Sequence, residues 1–157
     1  MQTNTRLTLS AASTIIDVAL AKGLEVGLLP LTVAVLDSGG NIIAFKREDG
    51  SGIMRPQIAI GKTWGSLGMG VSSRTLRDRL ADRPTFLNAL VTLSGGRLVP
   101  VPGGVLVRTS AGEIIGAVGI SGDASDKDEF CAIAAVEAAG FQPDPARPSP
   151  DWAKASL

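Results

Sequence analysis

Two short turn sequences, each set between apolar runs, constrain this chain more than any other feature. Asp37-Ser38-Gly39-Gly40-Asn41 separates residues 31–36 from residues 42–46, and Ser110-Ala111-Gly112 separates residues 105–108 from residues 113–120. Glycine takes positive φ without strain, as a tight hairpin turn requires. Strands joined this way pair antiparallel. Helical patterns surround the hairpins. Ala12, Ile15, Ile16, Ala19 and Leu20 recur at helical spacing, which predicts a helix over residues 7–29 capped by Thr8 or Ser10 and stopped by Gly23, Gly27 and Pro30. Further helices are expected over residues 54–69, 72–80, 84–93 and 126–139. The order helix, two strands, helices, two or three strands, helix predicts an α+β domain with helices covering an antiparallel sheet.

Hydrophobic residues make up 45% of the chain and aromatics 4%, with no tyrosine. The core is therefore expected to be aliphatic. Lysine plus arginine and aspartate plus glutamate both number 15. A net charge of zero gives no pull toward nucleic acid or an anionic membrane, and neither is an expected partner. The Arg74, Arg77, Arg79 and Arg83 run is interleaved with Asp78 and Asp82 and reads as a solvated helix face. The start, MQTNTRLTLS, lacks the apolar stretch of a secretion signal, and no run is long enough to span a membrane. A cytoplasmic location is expected. One cysteine, Cys131, excludes an internal disulfide and a cysteine metal cluster. It reads as a buried apolar residue, and Met54 and Met69 read as core filler. The chain has no histidine. Ser-His-Asp and Cys-His catalysis and histidine metal ligation are thereby excluded, and no metal site is expected.

Acid–base chemistry would fall to carboxylates or lysine. Alternate strand residues share a face, so Arg47 and Asp49 can converge at the end of the second strand, while Glu48 is expected to face solvent. Lys62 lies in a glycine-rich helix. It reads either as a surface lysine or as a desolvated group of lowered pKa, serving as a base or an electrostatic clamp. Gly61, Gly65, Gly68 and Gly70 imply close approach of a ligand or of another backbone, in the sheet or in a second subunit. Gly61-Lys62-Thr63 mimics the end of a phosphate-binding loop, but Pro56 replaces its first glycine and the stretch is helical. Gly119-Ile120-Ser121-Gly122 closes a strand before the last helix, whose amides could hold an anion. Asp126, Asp128 and Glu129 already occupy that positive end. Residues 142–157 carry four prolines and read as an extended tail to a domain of residues 1–141, with Trp152 docking on the body or on a neighbour.

VAVLDSGGNIIAFKREDG, IAIGKTWGS, PGGVLV and GEIIGAVGISGDASDKDEFCA, in this order and spacing, resemble the GlcG/HbpS-like family, the haem-degrading domain family that includes the C-terminal domain of PduO-type proteins. The resemblance covers about residues 7–141. It implies a profilin-like α/β/α domain with a five-stranded antiparallel sheet, homo-oligomers, and haem or corrinoid binding in small-molecule catabolism. Carried onto this chain, it points to Arg47, Gly103, Gly104, Ser121 and Gly122 as ligand-binding residues and to Asp49, Lys62 and Asp128 as candidate catalytic groups. Leu106 stands where the family usually has proline. Without histidine, haem binding through a conventional axial ligand is not expected, and the cofactor expectation is none. The function expected is a small-molecule-binding accessory protein of a catabolic pathway. The alternative is a cofactor-independent isomerase, lyase or hydrolase acting on a small carboxylated or carbonyl metabolite.

Overall fold

A computed structural model describes residues 6–157. The reading of the first ten residues as lacking a secretion signal falls largely outside them. The element order is α1 (Leu9–Glu25), β1 (Thr32–Asp37), β2 (Ile42–Arg47), α2 (Arg55–Met69), α3 (Ser73–Leu80), α4 (Pro84–Leu93), β3 (Gly104–Arg108), β4 (Ile114–Ser121), α5 (Ser125–Ala138) and β5 (Gln142–Asp144), with a final 3-10 turn at Trp152–Lys154. Among these residues no helix is long and apolar enough to cross a membrane.

Both hairpins form, and the sheet runs β2-β1-β4-β3-β5 with every neighbour antiparallel. Strand alternation gives the sheet two apolar faces. Val33, Val35, Val105, Val118 and Ile120 pack with Ile15 and Ile16 of α1 and Ile133 and Val136 of α5. Ala34 and Leu36 pack under Ala59 of α2. The result is an α/β/α sandwich with an aliphatic core, as expected. Its caps follow the sequence: the Thr8 hydroxyl accepts from Ala11 N–H and opens α1, and the Ser72 hydroxyl does the same for Thr75 N–H at α3. At the first turn, Asp37 Oδ1 accepts from the N–H groups of Gly39 and Asn41, both at 2.9 Å, and Gly40 takes φ +81°.

The fifth strand lies inside the stretch read as tail. Gln142, Pro143 and Asp144 pair with Arg108, Val107 and Leu106 of β3. The edge position tolerates Pro143, which cannot donate a ladder hydrogen bond. The remainder runs as an arm back to α5, where the ring of Trp152 stacks on Phe130 with centroids 3.7 Å apart.

The glycines of α2 and the sheet explain each other. A Cβ on Gly119 would strike the Ala59 carbonyl and the Thr63 hydroxyl, and one on Gly104 the Lys62 carbonyl. Gly61, in turn, leaves room for Val99 and the Arg97 carbonyl. Close approach to the α2 backbone is therefore made by the sheet glycines, while Gly61 and Gly65 face the loop before β3, and Gly68 and Gly70, expected to mark such an approach, meet nothing within 4 Å.

Candidate functional site

Antiparallel pairing brings the end of β2, the start of β1, the end of β4 and the start of β3 to one end of the sheet. Arg47, Thr32 and Ser121 stand in a single cross-strand row there, and paired residues share a face. Gly104 lies close by on β3, paired with Gly119. The first turns of α2 and α5 meet the same end.

Lys62 is the largest wholly enclosed side chain described, at 1% exposure. It passes from α2 beneath Gly103 and Gly104, and its Nζ donates to the Ile120 carbonyl at 2.8 Å and to Asp128 Oδ2 at 3.0 Å. Gly103, at φ +119°, is required on both counts, because a Cβ there would lie 2.8 Å from Lys62 Nζ. Asp128 Oδ1 accepts from Asp123 N–H at 3.0 Å, so both carboxylate oxygens are satisfied. Burial pushes the Lys62 ammonium below its ordinary pKa and the Asp128 carboxyl above its own, and in each case the partner's charge opposes the shift. This arrangement holds α2, β4 and α5 together, and it seals both groups from solvent.

Around the pair, Arg55 Nη1 donates to the Ser121 hydroxyl at 3.2 Å. Gly122 makes room for Pro30 and Leu31, whose atoms a Cβ would meet. Asp123 Oδ2 accepts from Leu29 N–H at 3.0 Å. Lys62, Asp128, Gly103, Gly104, Ser121 and Gly122 thus form one cluster. Arg47 and Asp49 stand apart from it, in an open cleft of about 530 Å³ lined also by Leu24, Leu28, Pro30 and Glu48. Lys62 does not line that cleft. Arg47 Nε donates to the Ser51 carbonyl at 3.0 Å. Glu48 does not simply face solvent, because its Oε2 accepts from Leu31 N–H at 2.5 Å and fixes the chain entering β1.

Two residues matter beyond their sequence reading: Arg55, not singled out, and Glu129, read only as one of the acids at the positive end of the last helix. Arg55 is a cation in the first turn of a helix, where the dipole disfavours it; that misplacement was the available signal for a partner such as Ser121. Glu129 is fully buried, and neither carboxylate oxygen has a hydrogen-bond donor. Burial pushes its pKa up to about 7, against the pull of Arg74 and with repulsion from Asp126. Burial likewise pushes the Cys131 thiol up to about 12, so no thiolate is offered at neutral pH.

Comparison with known proteins follows this geometry. The family model described as haem degrading protein HbpS-like matches residues 7–137. A protein of Citrobacter freundii, an uncharacterized 15.0 kDa protein of the dhaT-dhaS intergenic region, is 28% identical over 131 residues, covering 83% of this chain and 90% of its own. Among solved structures, a double mutant of Streptomyces reticuli HbpS is 27% identical with a TM-score of 0.75, covering 88% of this chain and 90% of that one. A PduOC:heme complex superposes with a TM-score of 0.79 at 22% identity, over 87% of this chain and 97% of that one. Klebsiella pneumoniae ORFY superposes at 0.77 with 23% identity, over 89% and 97%. These findings correct the expectation of no cofactor: the matching family is described by haem degradation, and one solved relative holds haem. A missing histidine excludes one kind of bond to iron, whereas apolar and ionic contacts also hold ligands of that size.

Proposed function

The chain belongs to the HbpS-like family, and from this premise we propose that it is a small-molecule-binding protein whose ligand is a flat, carboxylate-bearing ring system of the haem class. The observation that carries the reading is the open cleft beside Arg47. Its volume of about 530 Å³ lies within the range of ligand sites, and Leu24, Leu28 and Pro30 give it an apolar wall. Among the described residues no carboxylate lies within ion-pair distance of Arg47 or Arg55. Arg47 spends Nε and one N–H of Nη2 on the Ser51 carbonyl, which leaves its outer edge, Nη1 with the second N–H of Nη2, to meet a ligand carboxylate.

The donor set decides how haem iron would be held. Histidine and tyrosine are absent from the chain. Cys131 is enclosed and stays protonated, and Lys62 is committed to Asp128. Met54, read as core filler, is instead 68% exposed just before α2 and does not line the cleft. Bound haem would supply a redox-active iron. The chain would supply the apolar wall and the Arg47 guanidinium. The enclosure of Lys62 and Asp128, which keeps both from a substrate, supports a binding role, as an accessory protein of small-molecule catabolism, over acid–base catalysis.

Titration with hemin, followed by absorbance, is expected to show saturable uptake at one equivalent. Arg47→Ala is expected to weaken it by about tenfold, the usual effect of one charge-assisted contact. Absence of saturable uptake by the unaltered chain would sink this reading.

We also propose that the chain forms homo-oligomers through α4. This helix is mostly apolar yet buries no residue, and Leu93 is 84% exposed. Exposed apolar patches of this kind mark contact surfaces. Light scattering on Leu93→Glu is expected to give the monomer mass where the unaltered chain gives a multiple. A monomeric unaltered chain rules the idea out.

A further inference from the structure

The orphaned carboxylate of Glu129 sits beside the least secured part of the molecule. Arg74 of α3 lies between them: its Nε is 3.3 Å from Glu129 Oε1, and its Nη2 donates to the Arg147 carbonyl of the C-terminal arm at 2.7 Å. The residue after Glu129 is Phe130, on which Trp152 of the arm stacks. The arm is therefore attached on both sides of Glu129. None of its residues from 145 to 157 is buried, and it leaves a cleft of about 790 Å³ against Phe130, Ile133 and Ala134 of α5. Segments with few buried contacts open at the lowest free energy.

We propose that ionisation of Glu129 lifts the C-terminal arm off α5, making the arm a pH-gated strap over the apolar face of that helix. An ionised, enclosed carboxylate without a hydrogen-bond donor is strongly disfavoured. Water entering beneath the arm relieves it at the least structural expense. The charged groups facing Glu129 are Lys62 from α2, Arg74 and Arg77 from α3 and Asp126 from its own helix. Arg77 is engaged with Asp78 and Lys62 with Asp128, which leaves Arg74 as the near cation. Burial outweighs Arg74, so the pKa of Glu129 in the closed form is raised to about 7. A raised pKa means that the closed arm favours the neutral acid. Closure is strongest below the ordinary glutamate pKa of 4.5, weakens as pH rises from there to about 7, and changes no further above it. Release uncovers Phe130, Ile133 and Ala134, an apolar stripe at helical spacing.

In a Trp64→Phe background, Trp152 is the only tryptophan. Its emission and its quenching by iodide are to be followed from pH 5.5 to 8.5, in protein without added ligand. The expected result is a stacked, protected ring at low pH and a rise in quenching that is complete by about pH 7. The closed-to-open ratio should fall by up to about tenfold per pH unit between 4.5, the ordinary glutamate value, and about 7, and stay level above it. Glu129→Gln and Glu129→Met should both hold the ring protected across the range, and Phe130→Ala should expose it throughout. A flat profile in the Trp64→Phe protein, or a rise that survives in either neutral Glu129 variant, overturns the proposal.

Discussion

Replacing Lys62 by methionine is expected to lower the unfolding free energy by about 3–5 kcal/mol, the usual loss when one member of a buried ion pair is removed. The variant leaves Asp128 at 0% exposure with a charge and no cation, and it strips the Ile120 carbonyl of a donor. At about 2–4 °C per kcal/mol for a domain of this size, the melting temperature should drop by roughly 6–20 °C. The partner substitution separates the pair from the space it fills. Lys62→Met combined with Asp128→Leu should recover most of the loss, because an apolar pair of similar volume has no charge to desolvate. A single Lys62→Met variant within about 1 kcal/mol of the unaltered chain would show that the pair is neutral or hydrated, and the description of the cluster would fail.

The same substitution at two glycines is expected to act in opposite directions. Gly119→Ala drives a methyl group into the Ala59 carbonyl and the Thr63 hydroxyl. Overpacking of this kind costs about 1–3 kcal/mol, and here the obstacle is helix backbone that cannot rotate away. Gly68→Ala meets nothing within 4 Å and sits in the last turn of α2, where alanine is favoured over glycine by up to about 1 kcal/mol. Chemical denaturation of the two variants tests the assignment of α2's small residues to sheet packing. Equal and small effects would contradict it.

How much of this was legible depends on distance along the chain. Hairpins, helix spacing and the caps at Thr8 and Ser72 are local, and they appear in the structure within a few residues of their expected places. Trp152 was also legible, since an aromatic in a proline-rich stretch needs a surface. β5 was not, because three residues including Pro143 carry no alternation to read. The burial of Lys62 was hidden for a different reason: its partner Asp128 lies 66 positions away, and no periodicity links them. Glu48 looked solvent-facing from strand alternation, but its partner is the backbone of Leu31, which side-chain patterns do not encode. The resemblance put Lys62, Asp128, Gly103, Gly104, Ser121 and Gly122 in one set with Arg47 and Asp49, and only the first six cluster. It did not reveal that Arg47 and Asp49 open onto a separate cleft.

The strand order has a consequence for how copies of the chain can meet. One border of the sheet is β2, a full strand carrying exposed Ile42 and Phe45. The other is β5, three residues long and interrupted by Pro143. Only the first presents a continuous row of free backbone donors and acceptors. A sheet with one usable border can be extended once, by the same border of a second copy related by a twofold axis, and growth stops there. The proline that blunts β5 thus limits any strand-to-strand joining to pairs and closes the route to an open-ended fibre.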